Sequence, residues 1–121
     1  MLSEQIVVST LRPLAESTLE ATLSVYDVHT YKHVTSFKRS NTARNGLAVS
    51  DTHIYAAQAE KAVVNVYSRE KGSLVSTVPF TEQFTVLEAS HNGAFVAGGT
   101  ENGRLTIWEV HSMRLGGMRD K

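Results

Sequence analysis

The sequence predicts an all-β protein built from repeated antiparallel sheets of four strands, and three observations carry that expectation. Leu23–Asp27 (LSVYD), Val64–Ser68 (VNVYS) and Leu105–Glu109 (LTIWE) share one pattern, two aliphatics a residue apart followed by an aromatic. Their aromatics, Tyr26, Tyr67 and Trp108, stand 41 residues apart, within the period of about 40–45 residues of a known four-strand repeat unit. Short runs rich in β-branched and aromatic residues alternate with turn residues along nearly the whole chain. With 41% hydrophobic and 20% charged residues the composition is that of a folded domain and argues against disorder.

Taken in order, strands are expected near residues 5–9, 22–27, 33–37, 46–50, 54–58, 63–67, 74–78, 84–89, 94–98 and 104–109. The second and third repeats align without a gap, Ala48–Ala57 over Ala89–Gly98. Each reads as strand, polar turn (50–53 or 91–93) and a second strand ending in small residues. Asp and Asn-Gly suit such turns because they bond locally or tolerate positive φ. The polar link Ser68–Ser73 carries a glycine, as a hairpin loop should. One stretch departs from the pattern: Pro13–Leu23 places Leu14, Leu19 and Leu23 at roughly helical intervals. It reads either as a short helix inserted in a turn or as an ordered loop whose leucines tuck onto the sheet.

A four-stranded sheet cannot bury both its faces alone, whereas similar sheets stacked around an axis bury them against each other, which is the logic of a β-propeller. By strand alternation, Leu23/Val25, Val64/Val66 and Leu105/Ile107 point to one face, and Tyr26, Tyr67 and Trp108 to the other with Ser24, Asn65 and Thr106. Ala56-Ala57 and Ala97-Gly98-Gly99 suit a crowded blade interior. Against the 41-residue period, 121 residues amount to two and a half to three blades, while closed propellers have about four to eight. The expectation is an open, incomplete propeller over 1–121: a degenerate first blade at 1–38, a second at 45–79 and an incomplete third at 83–121. Open ends leave bare faces where terminal repeats normally carry a polar cap, and Val66 and Ile107 are not caps. The chain therefore reads as the amino-terminal fragment, or a truncated gene model, of a longer propeller. Alone it is expected to associate, aggregate or be only marginally ordered.

The stretch Gly98–Glu109 (GGTENGRLTIWE) resembles the most characteristic part of a WD repeat, with Trp108-Glu109 in place of the Trp-Asp pair. Tyr67-Ser68 and Tyr26-Asp27 are more degenerate versions, so Tyr26, Tyr67, Trp108 and Glu109 are the expected structural WD positions. The family's Gly-His pair is absent from every repeat. Its turn aspartate falls on Asn102 and Lys61, which implies at best a partial hydrogen-bond network. The segments Asn45–Val49, Tyr55–Gln58, Val63–Tyr67, Phe84–Ser90 and Asn92–Thr100 further resemble the amino-terminal blades of the fungal pre-rRNA-processing WD-repeat proteins, over roughly residues 20–110. That resemblance implies a non-catalytic scaffold subunit in ribosome biogenesis, acting in removal of the second internal transcribed spacer and in pre-60S maturation. It implies protein partners in a pre-60S maturation complex, including an AAA-ATPase of the midasin type, and a location in the nucleus, nucleolus and nucleoplasm. The alternative is a generic WD-repeat adaptor in another pathway, such as ubiquitin ligation or vesicle trafficking.

No residue set calls for bond chemistry, a cofactor, a metal or a small-molecule substrate. With no cysteine there is no thiolate nucleophile, disulfide framework or sulfur-ligated zinc, and a reducing, intracellular location is the default. The run Ile6–Val8 is too short for a signal-peptide core, and no segment approaches a membrane span. The five histidines, His29, His33, His53, His91 and His111, are scattered, and no carboxylate completes a ligand set. Ser50, Asp51 and His53 are neighbours in one tight turn, whereas a catalytic relay needs partners converging from different directions. The pairs Gly98-Gly99 and Gly116-Gly117 lack the Lys-Ser/Thr of a phosphate loop, and Glu16 and Glu20 imply no pocket. Net charge is zero overall, but residues 29–75 carry seven basic and three acidic residues. Lys32, Lys38, Arg39 and Arg44 fall between an outer strand and the next inner one, where a propeller rim would run. Such a rim could meet RNA phosphates or a protein partner; four exposed cations are also ordinary on a soluble surface.

Overall fold

In a computed structural model of the chain, residues 4–15, 18–38, 42–110 and 118–120 are described, with the backbone alone for 11–15, 18–21, 38, 44 and 118–120. The fold is all-β, as expected, and divides into two units, Met1–Asn41 and Thr42–Lys121.

The first unit is a three-stranded antiparallel sheet in the order β1 (Gln5–Ala15), β2 (Thr18–Asp27), β3 (His33–Lys38). Its first hairpin corrects the reading of 13–23 as an inserted helix or tucked loop. The ladder runs unbroken from Gln5↔Asp27 to Pro13↔Leu19 and closes, past a bulge, at Ala15↔Thr18. Leu19 and Leu23 are four apart, a spacing that one face of a strand satisfies as readily as one face of a helix. Pro13 is tolerated because β1 is an edge strand, where a missing amide donor breaks no inner ladder. The β2–β3 turn is held by Asp27: its Oδ1 accepts the amides of His29 and Thr30, each at 2.9 Å, and Tyr31 takes φ +59° at its tip. Leu23, Val25 and Phe37 are buried on one face.

The second unit holds two consecutive four-stranded antiparallel sheets. One comprises β4 (Thr42–Val49), β5 (His53–Gln58), β6 (Val63–Ser68) and β7 (Ser73–Pro79). The other comprises β8 (Phe84–Ala89), β9 (Phe95–Thr100), β10 (Leu105–Glu109) and β11 (Met118–Asp120). Their first strands, β4 and β8, meet in parallel at Asn45↔Val86. β11 pairs with β10 at Trp108↔Met118, so a short fourth strand exists where the tail sequence carries no strand pattern. An edge strand of three residues is specified by the neighbour it pairs with, not by its own alternation. The bulges repeat as the sequence does: Val34 is the extra residue between Val25↔Thr35 and Tyr26↔His33, and Val75 the extra residue between Val66↔Ser76 and Tyr67↔Leu74.

The gapless alignment of the second and third repeats does not survive in register. The turn bond Ser50 N–H to His53 O corresponds to Ser90 N–H to Phe95 O, so the turn after β8 is two residues longer. Tyr67 pairs with Ile54 and Trp108 with Val96, so the loop after β9 is one residue shorter. A one-residue slip exchanges the two faces of a strand. Accordingly Val96 takes the place of Ile54, on the aromatic face, and not that of Tyr55.

With that register the two sheets pack front to back. The aliphatic face of the first, with Ala48, Tyr55, Ala57, Val64, Val66 and Val78, joins the aromatic face of the second, with Phe84, Leu87, Val96 and Trp108, in one buried cluster. Phe80, Phe84 and Trp108 stack within it, at 4.9 Å for Phe80–Trp108 and 5.9 Å and 17° for Phe84–Trp108. Gly98 makes this possible, because a Cβ there would lie 2.7 Å from the Phe84 ring. Since the stack prevents that ring from yielding, Gly98→Val is expected to lower stability by about 1–3 kcal/mol, read as a lower urea midpoint at unchanged slope.

Candidate interaction surface

The faces of the sheets serve the stacking, so polar chemistry is confined to the turns at their edges. At one edge of the second unit the turns after β4, β6 and β8 converge. The Ser50 hydroxyl accepts the amide of His53 at 3.2 Å. The Arg69 guanidinium, from the turn after β6, donates to the carbonyls of Ser50 at 2.8 Å and Asp51 at 3.2 Å, while the Arg69 amide donates to Thr52 O at 2.9 Å. His91 Nε2 lies 3.7 Å from Asp51 Oδ1, which links the turns of the two sheets. Gly93 takes φ +75° beside the Ser50 side chain. The result is a polar edge of Asp51, Thr52, His53, Arg69, His91 and Asn92.

At the opposite edge Arg104 pairs with Glu82 at 3.1 Å, Asn102 donates to Glu82 at 3.4 Å, and the Gln83 amide donates to Ala59 O. Such exposed pairs contribute at most about 1 kcal/mol each.

Neither edge is arranged for bond chemistry. Ser50 is engaged by backbone amides, and His53 Nδ1 lies 2.7 Å from Thr52 Oγ1, so Ser50, Asp51 and His53 form no relay. No group of three His, Asp or Glu side chains suited to a metal occurs among the described residues. His29 Nε2 lies 3.1 Å from Glu4 and His33 Nε2 2.6 Å from Ser36 Oγ; His111 lies outside the described residues. Burial raises the pKa of the Tyr55 phenol, partly offset by the Ser50 hydroxyl.

The expected WD positions occupy corresponding register sites with different burial. Trp108 and Tyr67 are buried, Tyr26 is 39% exposed, and Glu109 pairs with Phe95 across the ladder. Trp108 Nε1 has no hydrogen-bond partner, in keeping with an incomplete network. Lys32 is exposed in the turn before β3 and Lys38 ends that strand, about 20 Å away at ~3.3 Å per residue. Arg44 lies within β4, and Arg39 falls outside the described residues. The Arg69 bracket and the Asp51–His91 contact carried no local sequence signal, because their partners come from different hairpins.

Comparison with solved structures decides the fold. A HIRA structure (residues 644–1017) matches 97% of this chain and 37% of its own, with TM-score 0.68 at 16% identity. The WD40 repeats of RRP9 match 84% of this chain and 32% of theirs, with TM-score 0.63 at 15% identity. The sheets are WD-repeat propeller blades. No family model matches the chain. In sequence the blades are similar to the pre-rRNA-processing protein IPI3 of Yarrowia lipolytica, 33% identical over 96 residues, which is 74% of this chain and 22% of that protein. The Schizosaccharomyces pombe protein crb3/ipi3 is 29% identical over 90 residues, 74% of this chain and 20% of its own. These WD-repeat chain segments are homologous, and this chain spans about one fifth of the length of the curated relatives it matches.

The half-buried His53 gives the polar edge a pH dependence. Desolvation lowers its pKa below 6.5, so below pH 6.5 the unfolded chain takes up a proton that the folded chain refuses. Stability present above that pH is lost as the pH falls toward the lowered value. Urea midpoints measured from pH 7.5 to 5 are expected to fall for the native chain, and His53→Asn is expected to remove that part of the decline.

Proposed function

We propose that the chain is a non-catalytic WD-repeat scaffold acting in pre-rRNA processing and ribosome biogenesis. The observation that carries this reading is the 33% identity to a pre-rRNA-processing protein across 74% of the chain. The geometry supports it: the described residues offer stacked apolar faces and two polar edges, arrangements suited to recognising surfaces. The finer reading places the work in removal of the second internal transcribed spacer and in pre-60S maturation, in the nucleolus and nucleoplasm. Its partners there are protein subunits of a pre-60S complex, including an AAA-ATPase of the midasin type.

Contact with pre-rRNA belongs to the stretch containing Lys38, Arg39 and Arg44, since Lys32 lies at the other end of β3. Replacing the three by alanine is expected to reduce the salt slope of binding to a spacer RNA by about 2, at ~0.7 per cation lost on a single strand. Lys32→Ala is expected to leave that slope unchanged in fluorescence anisotropy.

The function is tested by recovering a tagged chain from fungal nuclei and identifying bound proteins by mass spectrometry. Enrichment of pre-60S factors, and accumulation of unprocessed spacer RNA on depletion of the endogenous chain, are expected. Recovery of factors from another pathway, with normal spacer processing, would replace this reading by the generic WD-repeat adaptor.

A further inference from the structure

The sequence holds three Asn-Gly pairs, Asn45-Gly46, Asn92-Gly93 and Asn102-Gly103. In such a pair the glycine amide nitrogen can approach the asparagine side chain, because no Cβ stands in the way and the backbone is free to turn. The approach needs open space around the glycine and an asparagine side chain that is not tied down. The fold grants these unequally.

Asn45-Gly46 lies within β4 and meets β8 at Asn45↔Val86. Gly46 is buried, and a Cβ there would lie 2.9 Å from the Ala57 Cβ, so close packing blocks rearrangement. Asn92-Gly93 occupies the turn after β8, where Asn92 Oδ1 accepts the Ala94 amide at 3.0 Å and the Ser90 hydroxyl at 2.9 Å. Gly93 is enclosed too, its Cβ position 3.2 Å from Ser50 Oγ. Asn102-Gly103 occupies the exposed turn between β9 and β10. Gly103 takes φ +84°, and nothing stands within 4 Å of its Cβ position. Among the described residues the Asn102 side chain makes one contact, Nδ2 to Glu82 Oε2 at 3.4 Å, longer than an ordinary N–H···O bond. The glycine amides do not separate the two turns. Gly93 N–H donates to Ser90 O at 2.9 Å and Gly103 N–H to Thr100 O at 3.1 Å, and either must be released before it reacts.

We infer that Asn102 is a site of spontaneous deamidation, with Gly103 as the attacking residue and water as the co-reactant. The Gly103 nitrogen gives its proton to solvent and attacks Asn102 Cγ. The new N–C bond closes a cyclic imide while the Cγ–Nδ2 bond breaks, and the nitrogen leaves as ammonia with a proton from solvent. Water then opens the ring at either carbonyl, giving aspartate or isoaspartate, with no change of oxidation state. This is chemistry of the chain upon itself, independent of any bound molecule and of the pathway in which the protein works. Its consequence falls on the edge that carries Glu82, Glu101 and Arg104. Two acidic side chains and one basic become three and one, and the new carboxylate lies against Glu82, the partner of Arg104.

Peptide mass spectrometry on the 121-residue chain held at pH 7.5 and 37 °C tests this, with fragmentation assigning the loss of amide to each asparagine. Asn102 is expected to convert about tenfold faster than Asn92, where two tethering hydrogen bonds must first break, and Asn45 is expected to be slower still. In urea, with the fold removed, the three pairs are expected to react at similar rates. Conversion of Asn92 or Asn45 as fast as Asn102 in the folded chain overturns the inference, and so does the same ranking in urea, because local sequence would then set it. Ser90→Ala removes one tether and is expected to speed conversion at Asn92 several-fold while leaving Asn102 unchanged. An Asn92 rate that does not rise would show that the tether does not protect it and would sink the argument from geometry.

Discussion

A β-sheet with two apolar faces is stable only between two neighbours, and the rest of this molecule follows from that demand. The β4–β7 sheet buries Val64 and Val66 against the β8–β11 sheet. At the junction with β8–β11 the demand is met by shape. Trp108 stacks on Phe84 and Phe80, and Gly98 yields the volume that the Phe84 ring occupies. The polar contribution there is unfavourable: Trp108 Nε1 and Gln58 Nε2 are buried without a hydrogen bond. Each such orphan costs about 1–3 kcal/mol. Burying a large aromatic is worth a comparable amount or more, so the stack wins locally without a polar lock. Asn102, which stands at the family's turn-aspartate position, turns instead to Glu82.

Front-to-back stacking also explains which parts of the repeat keep their spacing. The repeated segments Leu23–Asp27, Val64–Ser68 and Leu105–Glu109, in β2, β6 and β10, hold a period of 41 residues because each places aliphatics on one side and an aromatic on the other. The strands before them are free to slip, provided that later loops restore the face. Ser50 and Ser90 are 40 apart and Ile54 and Val96 are 42 apart, yet Tyr67 and Trp108 return to 41. A turn lengthened by two residues and a loop shortened by one thus compensate. The lengthened turn is stabilised by Asn92 and by Gly93, whose positive φ other residues adopt only with strain.

This is why the fold was legible in the sequence and its details were not. The pattern of each repeated segment is written in residues i to i+4, and it survives loop changes elsewhere. The β4/β5 and β8/β9 pairs look equivalent without a gap, because Ala48–Ala57 and Ala89–Gly98 have similar composition; only the ladder reveals the slip. The β1–β2 hairpin escaped because Leu19 and Leu23, four apart, satisfy both helical and strand spacing, while Leu14 belongs to the other strand. Lys32 and Lys38 are only six positions apart in sequence, but the strand His33–Lys38 holds that stretch extended.

Because stacking commits the faces, the edges are what such blades can offer to other molecules, and the two edges differ in chemistry. One presents His53, His91, Asn92 and Asp51 around the Arg69 bracket; the other presents Glu82, Asn102 and Arg104. Both are assembled from successive hairpins, so each contact that fixes an edge also ties one turn to another. Asp51–His91 joins the two sheets, and Arg69 joins the turn after β6 to the turn after β4. The polar edge is therefore ordered by the same front-to-back packing that hides Trp108. A partner that reads this edge reads an arrangement set by the apolar junction beneath it, which is how buried shape becomes a specific surface.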